Sequence, residues 1–113
     1  MKKNCVDKAV DYIENHFDQP ITLDELAQAI FVNKFYLSRQ FKQAMNISVY
    51  QYIKQKRLAH AKQLIISDRP IIDIYLECGF GDYTNFFRAF RQAVGMSPKE
   101  YYHLFVSKEA INS

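Results

Sequence analysis

The sequence is poor in the features that mark several protein classes. Its two cysteines, Cys5 and Cys78, lie far apart with no CxxC spacing, a usage that fits reduced thiols in a cytosolic protein rather than a disulfide framework. No window approaches the ~20 apolar residues of a membrane span, and the start MKKNCVDKAVDYIENHF holds no apolar run of signal length. A soluble, cytoplasmic protein with no membrane partner is expected. No segment alternates with period two over a useful length, which argues against a sheet. His16, His60 and His103 are dispersed, no Cys/His pair has metal spacing, and GFG at Gly79 to Gly81 reads as a turn rather than a phosphate-binding loop. Neither catalysis, a metal nor a cofactor is expected.

Acidic residues are missing from one long stretch. Between Leu26 and Ser67 there is no Asp or Glu, while Lys34, Arg39, Lys42, Lys54, Lys56, Arg57 and Lys62 give +7. Met1 to Glu25 and Asp68 to Asp82 each carry −3, and Tyr83 to Ser113 carries +2, so the modest net charge of +3 hides an electrically banded chain. A charge run is usually a solvated face. Here the bands follow an internal repeat.

What is present is enough apolar material for one domain: 113 residues, 49% of them hydrophobic. The apolar spacing is helical throughout. Val6, Ala9, Val10, Ile13 and Phe17 predict an amphipathic helix over Asn4 to Phe17, stopped by Pro20. Thr22 with Glu25 is a capping-box pattern, followed by the stripe Leu23, Leu26, Ala27 and Ile30. Asn33 caps a third helix with Leu37 and Phe41 inward, joined by Ala44 and Met45, and Asn46 ends it. Ser48 with Gln51 opens the longest pattern, running to about Ser67, and Asp68, Arg69 and Pro70 break it. Ile71, Ile74 and Tyr75 begin a short helix closed by Gly79. Asp82 caps the next, with Phe86, Phe90 and Val94 inward, and Gly95 ends it. Ser97, Pro98 and Glu100 start a last helix to about Val106, and Ser107 to Ser113 reads as a frayed tail.

The fold class is therefore all-α with about seven helices. Within it, RAFRQAVGMSP from Arg88 repeats RQFKQAMNISV from Arg39 at an offset of 49, and the preceding short helices align at 48. The repeating unit is a short helix, a tight turn, a basic helix and a stop, which is the form of a helix-turn-helix. The expected organisation is a first such subdomain over 1–47, a linker helix over 48–67, a second subdomain over 68–106 and a tail over 107–113.

Arg39 and Arg88 lie two residues past the first apolar position of their helices, about 200° around the helix from it, and so point away from the core. An outward Arg suits bidentate contact with guanine, and flanking Lys42 and Arg91 suit phosphate. A linker of ~20 residues is ~30 Å long, close to the ~34 Å between successive major grooves on one face of B-DNA. The expected partner is double-stranded DNA, read at an asymmetric site in two adjacent grooves. The competing reading is a helical interaction module whose basic band meets an acidic protein partner.

The arrangement LDELAQAIFVNKFYLSRQFKQAMNIS, YIKQKRLAHAKQLI, then IIDIYLECGFGDYTNFFRAFRQAVGMSPKEYY resembles the AraC/XylS transcriptional regulators over Val6 to Phe105. The segment Gly79 to Pro98 carries the most specific part of the likeness. The resemblance implies a bacterial DNA-binding domain with two helix-turn-helix subdomains, commonly a transcription activator that contacts RNA polymerase, located with the nucleoid in the cytoplasm. In length the chain resembles members made of this domain alone, which bind as monomers.

By position in the family pattern, Phe35, Ser38 and Arg39 would face bases from the first recognition helix, and Tyr83, Thr84, Asn85 and Arg88 from the second. Lys34, Lys42, Lys54 and Arg91 would meet the DNA backbone. Phe35 has two readings, core closure beside Leu37 or contact with a thymine methyl, and Tyr83 has a second reading as a phosphate contact. Arg57 stands where the family has an arginine in its long helix, read as a structural ion pair ahead of a DNA contact. Two residues depart from the pattern: Tyr75 replaces a small residue, and Phe31 stands where the first turn often has Gly or a polar residue. Both rings are expected near the helix crossings, either changing the recognition-helix angle or packing outward as a partner surface.

Overall fold

A computed structural model of the chain describes residues 3–107. Among these residues there are seven α-helices and no strand. They are α1 (Cys5–His16), α2 (Leu23–Ala29), α3 (Lys34–Met45), α4 (Val49–Ile66), α5 (Ile71–Glu77), α6 (Tyr83–Val94) and α7 (Pro98–Tyr102). The chain divides into two compact units between Lys56 and Arg57. The predicted tail beyond Ser107 lies outside the described residues.

In the first unit, α1 packs against α2 and α3, and α2 against α3. Its core holds Val6, Ala9 and Ile13 of α1, Leu26, Ala27 and Ile30, Leu37 and Phe41 of α3, and Val49 and Ile53 from the start of α4. In the second unit, α6 packs against α5 and α7. Its core holds Leu58, Ala61 and Ile65 from the end of α4, Ile74, Cys78, Phe80, Phe86 and Phe90. One helix thus supplies apolar residues to both cores. Phe41 and Phe90 occupy equivalent places in the repeat and both are fully buried. Truncating such a ring to Ala typically costs ~3–5 kcal/mol.

The polar punctuation repeats as closely as the core. The Asn33 side chain accepts the Phe35 and Tyr36 amides at 2.8 and 3.2 Å, and Asp82 accepts the Asn85 amide at 2.7 Å. Ser48 and Gln51 form a reciprocal box at 2.9 and 3.1 Å, matched by Ser97 and Glu100 at 3.4 and 3.1 Å. For Thr22 only its acceptance of the Glu25 amide at 3.1 Å is seen. Each device satisfies amides that the first helical turn leaves without partners.

Both helix-turn-helix turns close with the same paired backbone bonds. Val32 donates to the Ala27 carbonyl and Phe31 to that of Gln28; Phe80 donates to Tyr75 and Gly79 to Leu76. This Schellman pattern requires a left-handed residue at the turn. Gly79 supplies it at φ 94° without cost, whereas Phe31 adopts φ 61° with its ring 93% exposed. The ring therefore packs outward and does not wedge the helices apart. Tyr75, by contrast, is half-buried against the second core and meets Tyr83 edge-on, ring centres 5.9 Å apart.

Val94 is half-buried and packs against the second core beside Phe86 and Phe90, as the stripe predicts. Two expectations change. Ala44 is exposed rather than inward, because Leu37, Phe41 and half-buried Met45 already fill that side. The last helix stays α-helical only to Tyr102 and continues as a π-helical turn, His103–Ser107, where the Tyr101 and Phe105 rings approach to 4.5 Å.

Gly95 ends α6 at φ 87°, and a Cβ added there meets nothing within 4 Å, so conformation alone sets the cost of substitution. Gly95→Ala is expected to lose ~1–2 kcal/mol in urea unfolding. Gly95→Asn should lose less, because Asn46 fills the matching position at φ 63°. Phe31→Gly should gain about 0.5–1 kcal/mol, the released strain exceeding the added freedom of the unfolded chain.

Both cysteines are free thiols, Cys78 buried and Cys5 half-buried. Burial, reinforced by the Glu77 charge, pushes the Cys78 thiol up from 9.0 to about 12. The native state holds this proton where the unfolded chain has released it, so Cys78 should lower stability as pH rises from 9.0 toward about 12. Mass spectrometry after iodoacetamide at pH 8 should find Cys5 alkylated in the native protein and Cys78 only after unfolding.

Candidate nucleic-acid interface

With Leu37 and Phe41 buried, the opposite side of α3 presents Phe35, Ser38, Arg39, Lys42 and Gln43, all exposed. Their spacing of i, i+3, i+4, i+7 and i+8 makes one continuous stripe. The equivalent stripe on α6 is Thr84, Phe87, Arg88, Arg91 and Gln92, and these five residues line one shallow concavity of about 530 Å³. Phe87 is half-buried between polar neighbours; the rest of that stripe is exposed. Neither helix has an acidic residue in its first turn.

The basic residues divide into paired and unpaired sets. Lys34 pairs with Asp24 at 3.1 Å and lies over the Phe35 ring, 5.4 Å from its centre. Lys56 pairs with Glu14 at 3.3 Å, and that hydrogen bond holds its ammonium above the ordinary lysine range against partial desolvation. Part of the basic band is thus neutralised by acids of the preceding band. Among the described residues, Arg39, Lys42, Arg88 and Arg91 have no ion pair. Lys54 is half-buried with its ammonium 5.3 Å from the centre of the exposed Tyr50 ring. Arg57 is half-buried and has an interaction partner.

The residues singled out from the sequence are not all gathered together. Phe35 is 65% exposed, which removes the core-closing reading. Ser38 and Arg39 share its stripe, and Ser38 also lines a recess with Ser48 and Tyr50 at the start of α4. Thr84 and Arg88 come together with Arg91. Tyr83 belongs to a separate groove with Ile72 and Tyr102, and its ring packs edge-on against Tyr75 and Phe86. The Asn85 side-chain Nδ2 donates to Asp82 Oδ2 at 3.0 Å, tying it to the cap. Two neighbours were not singled out as contacts: Gln92 within the α6 concavity and Tyr50, 67% exposed, beside Ser38. The signal for Gln92 was available, since with Phe87 it completes the stripe of Arg88.

An outward Arg flanked by further cations, small polar groups and one aromatic ring can donate paired hydrogen bonds to a base edge, neutralise phosphates and contact a methyl group. Among the described residues no cluster of His, Cys, Asp and Glu could hold a metal, and no helix is long and apolar enough to cross a membrane.

Comparison with known proteins agrees with this arrangement. A helix-turn-helix domain family matches residues 26–103. Regulatory protein SoxS of Salmonella typhimurium strain LT2 is 32% identical over 102 residues, covering 89% of this chain and 95% of SoxS. The melibiose operon regulatory protein of Escherichia coli K12 is 32% identical over 97 residues, covering 85% of this chain but 32% of that longer protein. The C-terminal domain of AraT, a response regulator from Geobacillus stearothermophilus, superimposes with a TM-score of 0.87 at 34% identity, covering 90% of this chain and 86% of that one. The repeated fold, the exposed arginine stripes and these relatives together make the chain a DNA-binding domain of the AraC family of transcriptional regulators.

Proposed function

We propose that the chain recognises a specific, asymmetric duplex site by inserting the exposed stripes of α3 and α6 into adjacent major grooves. The observation that carries this reading is the matched placement of Arg39 and Arg88, both exposed and without an ion pair among the described residues, on helices held by equivalent caps. The length of α4 supports the two-groove part: 18 helical residues span ~27 Å, against ~34 Å between grooves.

In this reading Arg39 and Arg88 each take a guanine edge through a bidentate guanidinium. Phe35 offers its exposed ring to a thymine methyl, and Ser38 and Thr84 supply adaptable hydroxyls. Lys42 and Arg91 neutralise phosphates, and Lys54 and Lys34 add to the backbone charge where they are not engaged within the protein. Tyr83 and Asn85 act at the edge of the second contact, Tyr83 nearer a phosphate than a base. The two stripes differ at Phe35 against Thr84 and Ser38 against Phe87, so the half-sites differ and a single chain suffices. The chain acts in the cytoplasm, on the nucleoid, as an activator that contacts RNA polymerase, and it performs no catalysis.

Selection of bound duplexes from a random library should return a site with two separated conserved blocks about one helical turn apart. On that site Arg39→Ala and Arg88→Ala should each cost ~1–3 kcal/mol and relax preference in different blocks. Lys42→Ala should weaken binding about equally on all sequences and reduce the salt slope by about one. Wild-type affinity and preference in both arginine variants would reject the assignment. Transcription in vitro from a promoter carrying the site should rise with added protein; no rise, or a fall, would reject the activator role.

A further inference from the structure

The second unit contains a groove that the DNA-reading stripe does not use. It has a volume of about 580 Å³ and lies where the loop after α4, the start of α5, the first residue of α6 and α7 come together. Its lining is mainly apolar and aromatic, with Pro70, Ile71 and Ile72 joined by the rings of Tyr83 and Tyr102. That size and lining suit a small organic ligand. They do not suit a partner helix, which needs a longer apolar face.

The groove is held in shape from within. Asp68 occupies the left-handed turn position that closes α4, at φ 63°, and its carboxylate accepts the Tyr102 hydroxyl at 2.7 Å. This bond ties α7 to the loop and fixes the Tyr102 ring as a wall. It also occupies the one acidic group of the lining. Arg69 is engaged by Glu77. Lys99 is exposed, lines the same groove and has no ion pair among the described residues. An apolar groove lined by two aromatic rings and by one lysine without an ion pair complements a flat apolar body carrying a single negative charge.

We infer that this groove binds a small aromatic carboxylate, its ring system against Ile72, Tyr83 and Tyr102 and its carboxylate at Lys99, and that occupancy weakens DNA binding through Tyr83. The coupling rests on the DNA reading proposed above, because Tyr83 is the first residue of α6, immediately before Thr84 of the exposed stripe. A ligand packed against the Tyr83 ring stabilises its place in the groove lining and so holds that residue back from the duplex. Ligand and DNA then oppose each other, and by reciprocity DNA must expel the ligand to the same degree.

The test uses 2-naphthoate and its neutral counterpart 2-naphthalenemethanol, titrated into the full chain and followed by NMR. Shifts should centre on Ile72, Tyr83 and Tyr102 for both compounds. Lys99→Met should weaken 2-naphthoate about fivefold and leave the alcohol unchanged. Ile72→Asp places a charge at an exposed position of the groove and should abolish binding of 2-naphthoate without unfolding the protein. Saturating 2-naphthoate should lower affinity for the selected duplex about fivefold or more. Shifts absent or centred outside the groove, or equal affinity for 2-naphthoate in Lys99→Met, would overturn the site. A filled groove with unchanged duplex affinity would overturn the coupling. If no duplex were selected at all, the DNA reading would fail, while the titrations, which contain no DNA, would still decide the site.

Discussion

Burial of Phe41 and Phe90 sets which side of each basic helix meets solvent. Each ring lies at the centre of its unit, fully removed from water, and together with Leu37 or Phe86 one turn earlier it fixes the rotation of its helix about the helix axis. A helix rolled by one position would expose a ring worth several kcal/mol and bury a guanidinium. The stripe containing Arg39 or Arg88 is therefore exposed because the opposite stripe cannot be. The candidate interface is a consequence of the core.

The charge bands take on a second meaning in this light. Asp24 and Glu14 meet Lys34 and Lys56, so the acidic start of the chain neutralises part of the basic stretch within the first unit. Exposed pairs of this kind contribute little to stability. Their effect is on distribution: the cations left without carboxylates include those on the exposed face of α3. A protein with a net charge of only +3 can in this way present concentrated positive charge to a polyanion while keeping weak attraction for nucleic acid elsewhere.

The two copies of the repeat show how one scaffold tolerates different local chemistry. The turn position held by Gly79 in one copy is held by Phe31 in the other, with the same pair of backbone bonds and a strained backbone angle. The stop held by Gly95 is held by Asn46. Such differences cost about a kilocalorie each, small beside the core rings, so the architecture survives them while the exposed positions diverge.

The helices, their caps and the repeat were legible in the chain because each depends on contacts between residues three to five apart, which the order of residues encodes directly. The two exposed arginines were legible for the same reason: periodicity alone separates their side of the helix from the apolar one. Other features depended on groups distant in sequence. Whether Phe35 closed the core or faced solvent turned on what already filled the space beside Leu37. Lys34 and Lys56 were indistinguishable from Arg39 until Asp24 and Glu14 were brought against them. Tyr83 looked like one more member of the recognition helix, yet its ring packs edge-on against Tyr75 and lines, with Ile72 and Tyr102, a groove that no local pattern announced. An all-helical repeat with two outward arginines follows from residue order alone, since local hydrogen bonds and a 3.6-residue period suffice for that. Which cations remain unpaired and where an apolar groove opens were settled by packing, since both depend on which distant side chains share a volume.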